Sequence, residues 1–92
     1  MIESYILIYA EAGRVGRVVN EVRALTGIAH ADAVTGAYDV IARASAPSLD
    51  QFAQFVADRI GSIPGVLRTM ICPAVSHDRH WEEQLEPAYA AV

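Results

Sequence analysis

Residues 2–10 have the alternating pattern of a β-strand in which both faces are apolar. The two sets of side chains are Tyr5, Leu7 and Tyr9 on one face and Ile2, Ile6 and Ile8 on the other. A strand that is apolar on both faces is covered on both faces in the folded protein. Helices of the same chain can cover one face, so we expect a second copy of the chain to cover the other.

Two later segments change to the helical period. In residues 14–25 the apolar positions follow the i, i+3, i+4 spacing of one helical face: Val15, Val18, Val19, Val22 and Leu25. The second segment opens at Ala46-Pro47-Ser48, where Ser48 and Gln51 have the spacing of a capping box, and it ends at Gly61. Its predicted buried stripe is Leu49, Phe52, Val56 and Ile60, with Phe55 beside it.

Three more strands are predicted over residues 28–35, 38–44 and 66–75. His30 and Asp32 indicate that the first of these is an exposed edge strand. Pro73 cannot donate a ladder hydrogen bond, so the last strand should be irregular near its end. The order βαββαβ predicts an α+β, ferredoxin-like antiparallel sheet with both helices on one face. Two such sheets packed face to face would form a dimeric α+β barrel.

The connection between the second and third strands carries the first candidates for function. Gly36 and Asp39 bracket what reads as a tight hairpin turn, since glycine accepts a positive φ and aspartate tolerates turn conformations. Tyr38 and Asp39 are then predicted at the start of the third strand. Closing a hairpin requires neither an aromatic ring nor a carboxylate, which makes both residues candidates for a binding site.

Composition narrows the class of protein. The chain has 92 residues, which suits one domain, and its formal net charge is −4, with every positive charge an arginine. Because phosphate contacts dominate nucleic-acid affinity, the acidic balance argues against direct DNA or RNA binding. A single cysteine, Cys72, fits a reducing cytoplasm. No apolar run approaches the roughly 20 residues of a membrane helix, so we expect no membrane association.

Two stretches resemble the effector domain of the Lrp/AsnC family, also called the RAM domain. Residues 34–40 are similar to the central motif of that family, and residues 63–69 are similar to its stretch between the second helix and the last strand. The resemblance covers residues 2–75 and predicts a ligand-binding domain over residues 1–76. The remainder, residues 77–92, is a tail in which Trp81 and Leu85 indicate a short helix. Full-length members begin with a helix-turn-helix domain, so we expect a stand-alone effector domain here.

The resemblance implies an oligomer that binds an amino acid or a related small molecule. Family effector domains form dimers, and often rings of four dimers (octamers), with effector sites between dimers. The residues carried over to such a site are Gly36, Ala37, Tyr38, Asp39, Thr69 and Ile71. Asp39 would pair with a ligand ammonium, and backbone N–H groups near Gly36 would receive its carboxylate. Ile71 stands where many members have a threonine, which favours a branched or aromatic ligand over Asn or Gln.

Each of these residues also has a purely structural interpretation. Asp39 and Gly36 can simply stabilise a turn, Tyr38 can pack across a dimer, and Thr69 can be an ordinary strand residue. His77 and His80 lack further ligands for a metal site. Cys72 is interpreted as a buried side chain that packs like an apolar residue. We expect no cofactor.

The predicted function is modulation of transcriptional regulation or amino acid metabolism, with full-length Lrp/AsnC-type regulators as further partners. We expect no enzymatic activity, because no nucleophile, base and orienting group occur at a recognisable spacing. Two other classes stay open. One is a cofactor-free enzyme of the dimeric α+β barrel type, with His30, Tyr5 or Tyr9 lining its cavity. The other is a purely structural oligomerisation module.

Overall fold

The computed structural model describes residues 1–75, in which two helices cover one face of a four-stranded antiparallel sheet. The elements in chain order are β1 (Ile2–Ala10), α1 (Val15–Arg23), β2 (Ile28–Ala33), β3 (Val40–Ala46), α2 (Leu49–Phe55), a π-helical turn (Val56–Ile60) and β4 (Val66–Pro73). This order confirms the predicted ferredoxin-like βαββαβ arrangement. The helix predicted around Trp81 and Leu85 lies outside the described residues.

β1 is an inner strand of the sheet, whose order is β2-β3-β1-β4. Ile6 and Ile8 are fully buried beneath the helices. Tyr5, Leu7 and Tyr9 project from the other side of β1, where Tyr5 is 41% exposed. We call this second side the open face; it is formed by Tyr5, Leu7, Tyr9, Ile41 and Met70. The two apolar faces predicted for β1 are therefore present.

The core lies between the sheet and the helices. Its largest fully buried apolar side chains are Phe52, Ile6, Ile8, Ile60, Val18, Val22 and Val40. The prediction that Leu49 belongs to this core is wrong, because its side chain is 49% exposed. Leu49 is the first residue of α2, and the buried stripe of that helix begins one turn later, at Phe52.

Both ends of the second helical segment agree with the sequence. The Ser48 hydroxyl accepts a hydrogen bond from the Gln51 N–H at 3.2 Å, which confirms the predicted cap. At the other end the Gly61 N–H donates to the Val56 carbonyl at 2.8 Å, which closes the π-helical turn. A Cβ at Gly61 would lie 2.9 Å from the Ala57 carbonyl oxygen, so only glycine fits there without a shift. The π-helical turn itself was not predicted.

β2 is an edge strand, as predicted from its polar residues. Arg23 reaches over from α1, and its Nε donates to the Ala31 carbonyl at 2.7 Å. The same guanidinium lies 3.6 Å from the Asp32 carboxylate. A charged side chain bound to an edge carbonyl discourages pairing with another strand at this edge. Within residues 1–75, no helix is long and apolar enough to cross a membrane.

Candidate functional site

The connection between β2 and β3 is a loop over residues 34–39, which we call the 34–39 loop. It is closed by a hydrogen bond from the Val34 N–H to the Asp39 carbonyl at 2.9 Å. β3 begins only at Val40, so Tyr38 and Asp39 lie in the loop. The prediction that they start the third strand is therefore wrong. The connection is wider than a tight turn, because the pairing of β2 with β3 ends at Ala33 opposite Val40.

Gly36 has a backbone conformation that other residues rarely adopt. Its φ of +134° lies in the region that disfavours a Cβ, although the space around it is empty. Ala37 follows it and is exposed. The glycine is therefore required by the shape of the loop. The N–H groups of residues 35–38 donate no hydrogen bond to the described backbone, so they remain available to a ligand.

Asp39 ties the loop to β1 by two hydrogen bonds. Its backbone N–H donates to the Ile8 carbonyl at 3.0 Å, and its Oδ2 accepts from the Ala10 N–H at 2.8 Å. Ala10 is only 7% exposed, so this N–H needs an acceptor from the protein. The other carboxylate oxygen of Asp39 has no hydrogen-bond partner within residues 1–75 and is not buried. Asp39 thus has a structural role and a free acceptor.

Tyr38 crosses the end of β1 on the open face. Its ring lies 5.0 Å from that of Tyr9, measured between centroids, at an interplanar angle of 54°. Its hydroxyl donates to the Met70 sulfur at 3.9 Å, which brings the loop into contact with β4. On the same strand, the Arg68 guanidinium carbon lies 4.7 Å from the centroid of the Tyr9 ring. The loop, β1 and β4 therefore meet around Tyr9.

The other two predicted site residues, Thr69 and Ile71, lie on the opposite face of the sheet. Thr69 pairs with Ile8 and Ile71 with Ile6, and directly opposed residues of antiparallel strands share a face. Ile6 and Ile8 are covered by the helices, and Ile71 packs against the same core. Within one chain, the structure brings Gly36, Ala37, Tyr38 and Asp39 together but separates Thr69 and Ile71 from them.

An open recess on β4 was not predicted from the sequence. Tyr9, Leu67 and Arg68 line a space of about 410 Å³. The β1–β4 register shifts here, since Tyr9 faces Arg68 while Ala10 faces Val66, which leaves Leu67 as the extra residue of a bulge. One signal was present in the sequence, because Arg68 is the only charged residue of β4. The bulge at Leu67, next to Arg68, depends on strand pairing and has no sequence signature.

Two other features lie away from this end of the sheet. An apolar cavity of about 230 Å³ lies between β3 and α2, with Ala44, Pro47, Phe52 and Phe55 in its lining and no charged side chain. The described residues contain no group of three His, Cys, Asp or Glu side chains placed to hold a metal ion. His77 and His80 lie outside those residues. Cys72 is partly buried and pairs with Tyr5.

Several solved structures have the same fold over nearly their whole length. TTHA0845 from Thermus thermophilus is 28% identical with a TM-score of 0.78, and the match covers 85% of this chain and 98% of that one. FFRP-DM1 is 27% identical with a TM-score of 0.75, covering 82% and 100% respectively. The hypothetical protein PHS023 from Pyrococcus horikoshii is 26% identical with a TM-score of 0.74, covering 87% and 96%. Comparison with curated proteins finds no match.

Larger transcriptional regulators contain the same fold as part of their chains. The regulator NMB0573 from Neisseria meningitidis, solved as its L-Met complex, is 21% identical with a TM-score of 0.74; the match covers 86% of this chain and 53% of the regulator. At that identity the likeness shows the fold alone. The sequence itself matches the family model of the Lrp/AsnC ligand binding domain over residues 3–80. This match spans most of the chain, and the chain therefore belongs to the Lrp/AsnC ligand-binding domain family.

Proposed function

We propose that this chain senses an amino-acid-like effector at the 34–39 loop and thereby modulates transcriptional regulation or amino acid metabolism. Membership of a ligand-binding family supports a sensing role. The observation that carries the proposal is the Asp39 carboxylate, which holds the Ala10 N–H with one oxygen and keeps the other free of protein partners within residues 1–75. A free carboxylate oxygen held in a fixed position suits a ligand ammonium.

The surroundings of Asp39 favour an apolar ligand. Tyr38 and Tyr9 present aromatic surface next to the loop. The N–H groups of residues 35–38, which donate no hydrogen bond to the described backbone, are available for a ligand carboxylate. The Neisseria meningitidis regulator that shares this fold was solved with L-Met, an amino acid with an apolar side chain. These points support a branched, aromatic or thioether side chain over that of Asn or Gln.

The sensing unit we propose is an oligomer. The open face includes Leu7, whose strand neighbours on either side are Ile41 and Met70, and Met70 and Tyr5 are each 41% exposed. Packing two such faces together would remove this apolar surface from water. Dimers formed in this way would assemble further into rings, as the family resemblance implies. Thr69 and Ile71 would then contribute to a site across a subunit boundary, because they face away from the loop of their own chain.

The direct test is a search for binding followed by a charge-removing substitution. A thermal-shift screen of the amino acids comes first, since binding to the native state alone raises stability by about 2.7 kcal/mol at a hundredfold excess over Kd. The best hit is then titrated by calorimetry into the wild type and into Asp39→Asn. The amide oxygen of asparagine can still accept from the Ala10 N–H, so the fold is kept while the charge is lost. We expect binding to weaken by on the order of 1.5–3 kcal/mol.

A matched control is Asp58→Asn, which changes an exposed aspartate on the π-helical turn. Affinity should be unchanged in this variant. Equal affinities of wild type and Asp39→Asn would leave Asp39 a purely structural residue. Conversion of the hit into a product would support the enzyme alternative, and absence of saturable binding across the screen would support the structural module.

A further inference from the structure

Within residues 1–75, Arg68 is held over an aromatic ring and has no carboxylate partner. Four of the arginines in residues 1–75 form ion pairs with nearby carboxylates: Arg14 with Glu11, Arg17 with Glu21, Arg23 with Asp32 and Arg43 with Glu3. Arg59 and Arg68 form none within that part of the chain. Arg59 is exposed on the π-helical turn with no ring beneath it, whereas the Arg68 guanidinium carbon lies 4.7 Å from the Tyr9 ring centroid.

The contact with Tyr9 prepares the guanidinium to bind an anion. Ordering a long arginine side chain costs conformational entropy, and stacking on a ring reduces what is left to lose when a ligand binds. Within residues 1–75 no guanidinium N–H of Arg68 donates a hydrogen bond, so the planar set of side-chain donors is free. A carboxylate matches that set with two parallel hydrogen bonds.

The bulge in β4 adds an apolar wall to this cation. Leu67 is the extra residue at the register shift, and it lines the recess of about 410 Å³ together with Tyr9 and Arg68. Its side chain is 64% exposed, so its apolar surface is accessible to a ligand in the recess. β-bulges of this kind often redirect side chains next to functional sites. The recess thus combines one positive charge with two apolar surfaces.

We propose that Arg68 binds the carboxylate of the effector, whose apolar part lies against Leu67 and Tyr9. This inference rests on the proposed function for the nature of the ligand, and it assigns the carboxylate to Arg68 in place of the N–H groups of the 34–39 loop. Tyr9 lies at the end of β1, so the dimer contact that we propose would be centred on Leu7 and would leave the recess at its edge. A single guanidinium supplies one positive charge, which suits a monocarboxylate better than a phosphate dianion. Tyr38 contacts Tyr9, which also lines the recess, so the loop that carries Asp39 adjoins the recess at Tyr9.

Leucine and two analogues, each lacking one of its charged groups, test this assignment. Isocaproate has the leucine skeleton and carboxylate without the ammonium, and isoamylamine has the ammonium without the carboxylate. Each is titrated by calorimetry into the wild type, Arg68→Gln, Arg68→Lys and the control Arg59→Gln. We expect Arg68→Gln to weaken isocaproate binding roughly 10- to 100-fold, as expected for a lost charge-assisted contact. Arg68→Lys should recover part of that loss, and isoamylamine binding should be the same in every variant.

Three results would overturn the assignment. The first is no binding of isocaproate to the wild type, and the second is equally tight binding to the wild type and to Arg68→Gln. The third is a change in the oligomeric state of Arg68→Gln, measured by light scattering, with no change in affinity. The last result would mean that Arg68 pairs with a neighbouring subunit. The amino acid screen separates these failures from failure of the proposed function. An amino acid that binds wild type and Arg68→Gln equally removes Arg68 from the site and leaves the sensing role in place.

Discussion

Replacing Asp39 by alanine should destabilise the fold even in the absence of any ligand. The Asp39 Oδ2 accepts a hydrogen bond from the Ala10 N–H at 2.8 Å, and Ala10 is 7% exposed. Alanine has no acceptor to offer, so the substitution leaves a buried donor unsatisfied at the end of β1. The backbone hydrogen bonds of residue 39 to Ile8 and Val34 do not depend on its side chain and should persist.

The size of the effect follows from the burial of the two partners. An unsatisfied buried N–H costs about 1–3 kcal/mol. Asp39 is itself only partly buried, so water can enter the space left by the carboxylate and recover part of that cost. We therefore expect a loss of about 1–2 kcal/mol in the free energy of unfolding. For a domain of this size, that lowers Tm by roughly 4–16 °C.

Thermal unfolding followed by circular dichroism measures this loss, with every variant at the same protein concentration because the assembly that we propose would also stabilise the fold. Asp58→Ala serves as the control, since Asp58 is exposed and its carboxylate has no partner within residues 1–75. Asp39→Asn should stay close to the wild type, because its amide oxygen can accept from Ala10. The reasoning is refuted if Asp39→Ala unfolds at the same temperature as Asp58→Ala.

Two further predictions concern assembly and the second helix. Leu7→Glu places a charge between Ile41 and Met70 on the open face. Light scattering should therefore show a smaller species than the dimer or ring expected for the wild type. The control Ala57→Glu changes an exposed helical position and should leave the size unchanged. A wild-type monomer at micromolar concentration would contradict the interface. Ser48→Ala removes the acceptor for the Gln51 N–H and should cost about 1 kcal/mol by urea unfolding, whereas Ser48→Asp should keep the stability. Equal urea midpoints for Ser48→Ala and the wild type would argue against the cap.

The fold was predictable because its main elements each have a local signal. Alternation in β1 predicts Ile6 and Ile8 on one face and Tyr5 and Leu7 on the other. In the structure the first two lie on the buried face and the second two on the open face. The spacing of Val18 and Val22 similarly marks the face of α1 that packs on the sheet. These patterns arise from the strand and helix periods themselves, so they survive without knowledge of the partners.

The features that escaped prediction depend on long-range pairing. The local pattern predicts Asp39 in a strand, but Asp39 lies in the loop and its side chain accepts a hydrogen bond from the N–H of Ala10, a residue far earlier in the chain. The bulge at Leu67 exists only because β4 pairs with β1 in a shifted register. The exposure of Leu49 depends on where α2 first contacts the sheet. None of these follows from the residue types within a local window.

The same limit explains what the sequence could say about the candidate site. The 34–39 loop holds Gly36, Tyr38 and Asp39 within a short stretch, so a local motif indicates them as a group. Thr69 came from the family resemblance, and its position opposite Ile8 places it on the helix-facing side of β4. Arg68, its neighbour in the chain, projects from the other side beside Tyr9. Whether a strand residue faces the loop depends on which of the two faces of the sheet its side chain lies on, and only the observed pairing determines that.

The geometry of Asp39 allows its structural and binding roles to be separated by substitution. One oxygen bonds the Ala10 N–H, and the other has no partner within residues 1–75. Asparagine removes the charge but keeps an acceptor for Ala10, so a change in affinity without a change in Tm would report the ligand alone. Alanine removes both, so its loss of stability would measure the contact with β1. A ligand ammonium on the free oxygen would therefore share the Asp39 carboxylate with the Ala10 N–H. Ala10 follows Tyr9 in β1 and lies at the register shift beside Arg68.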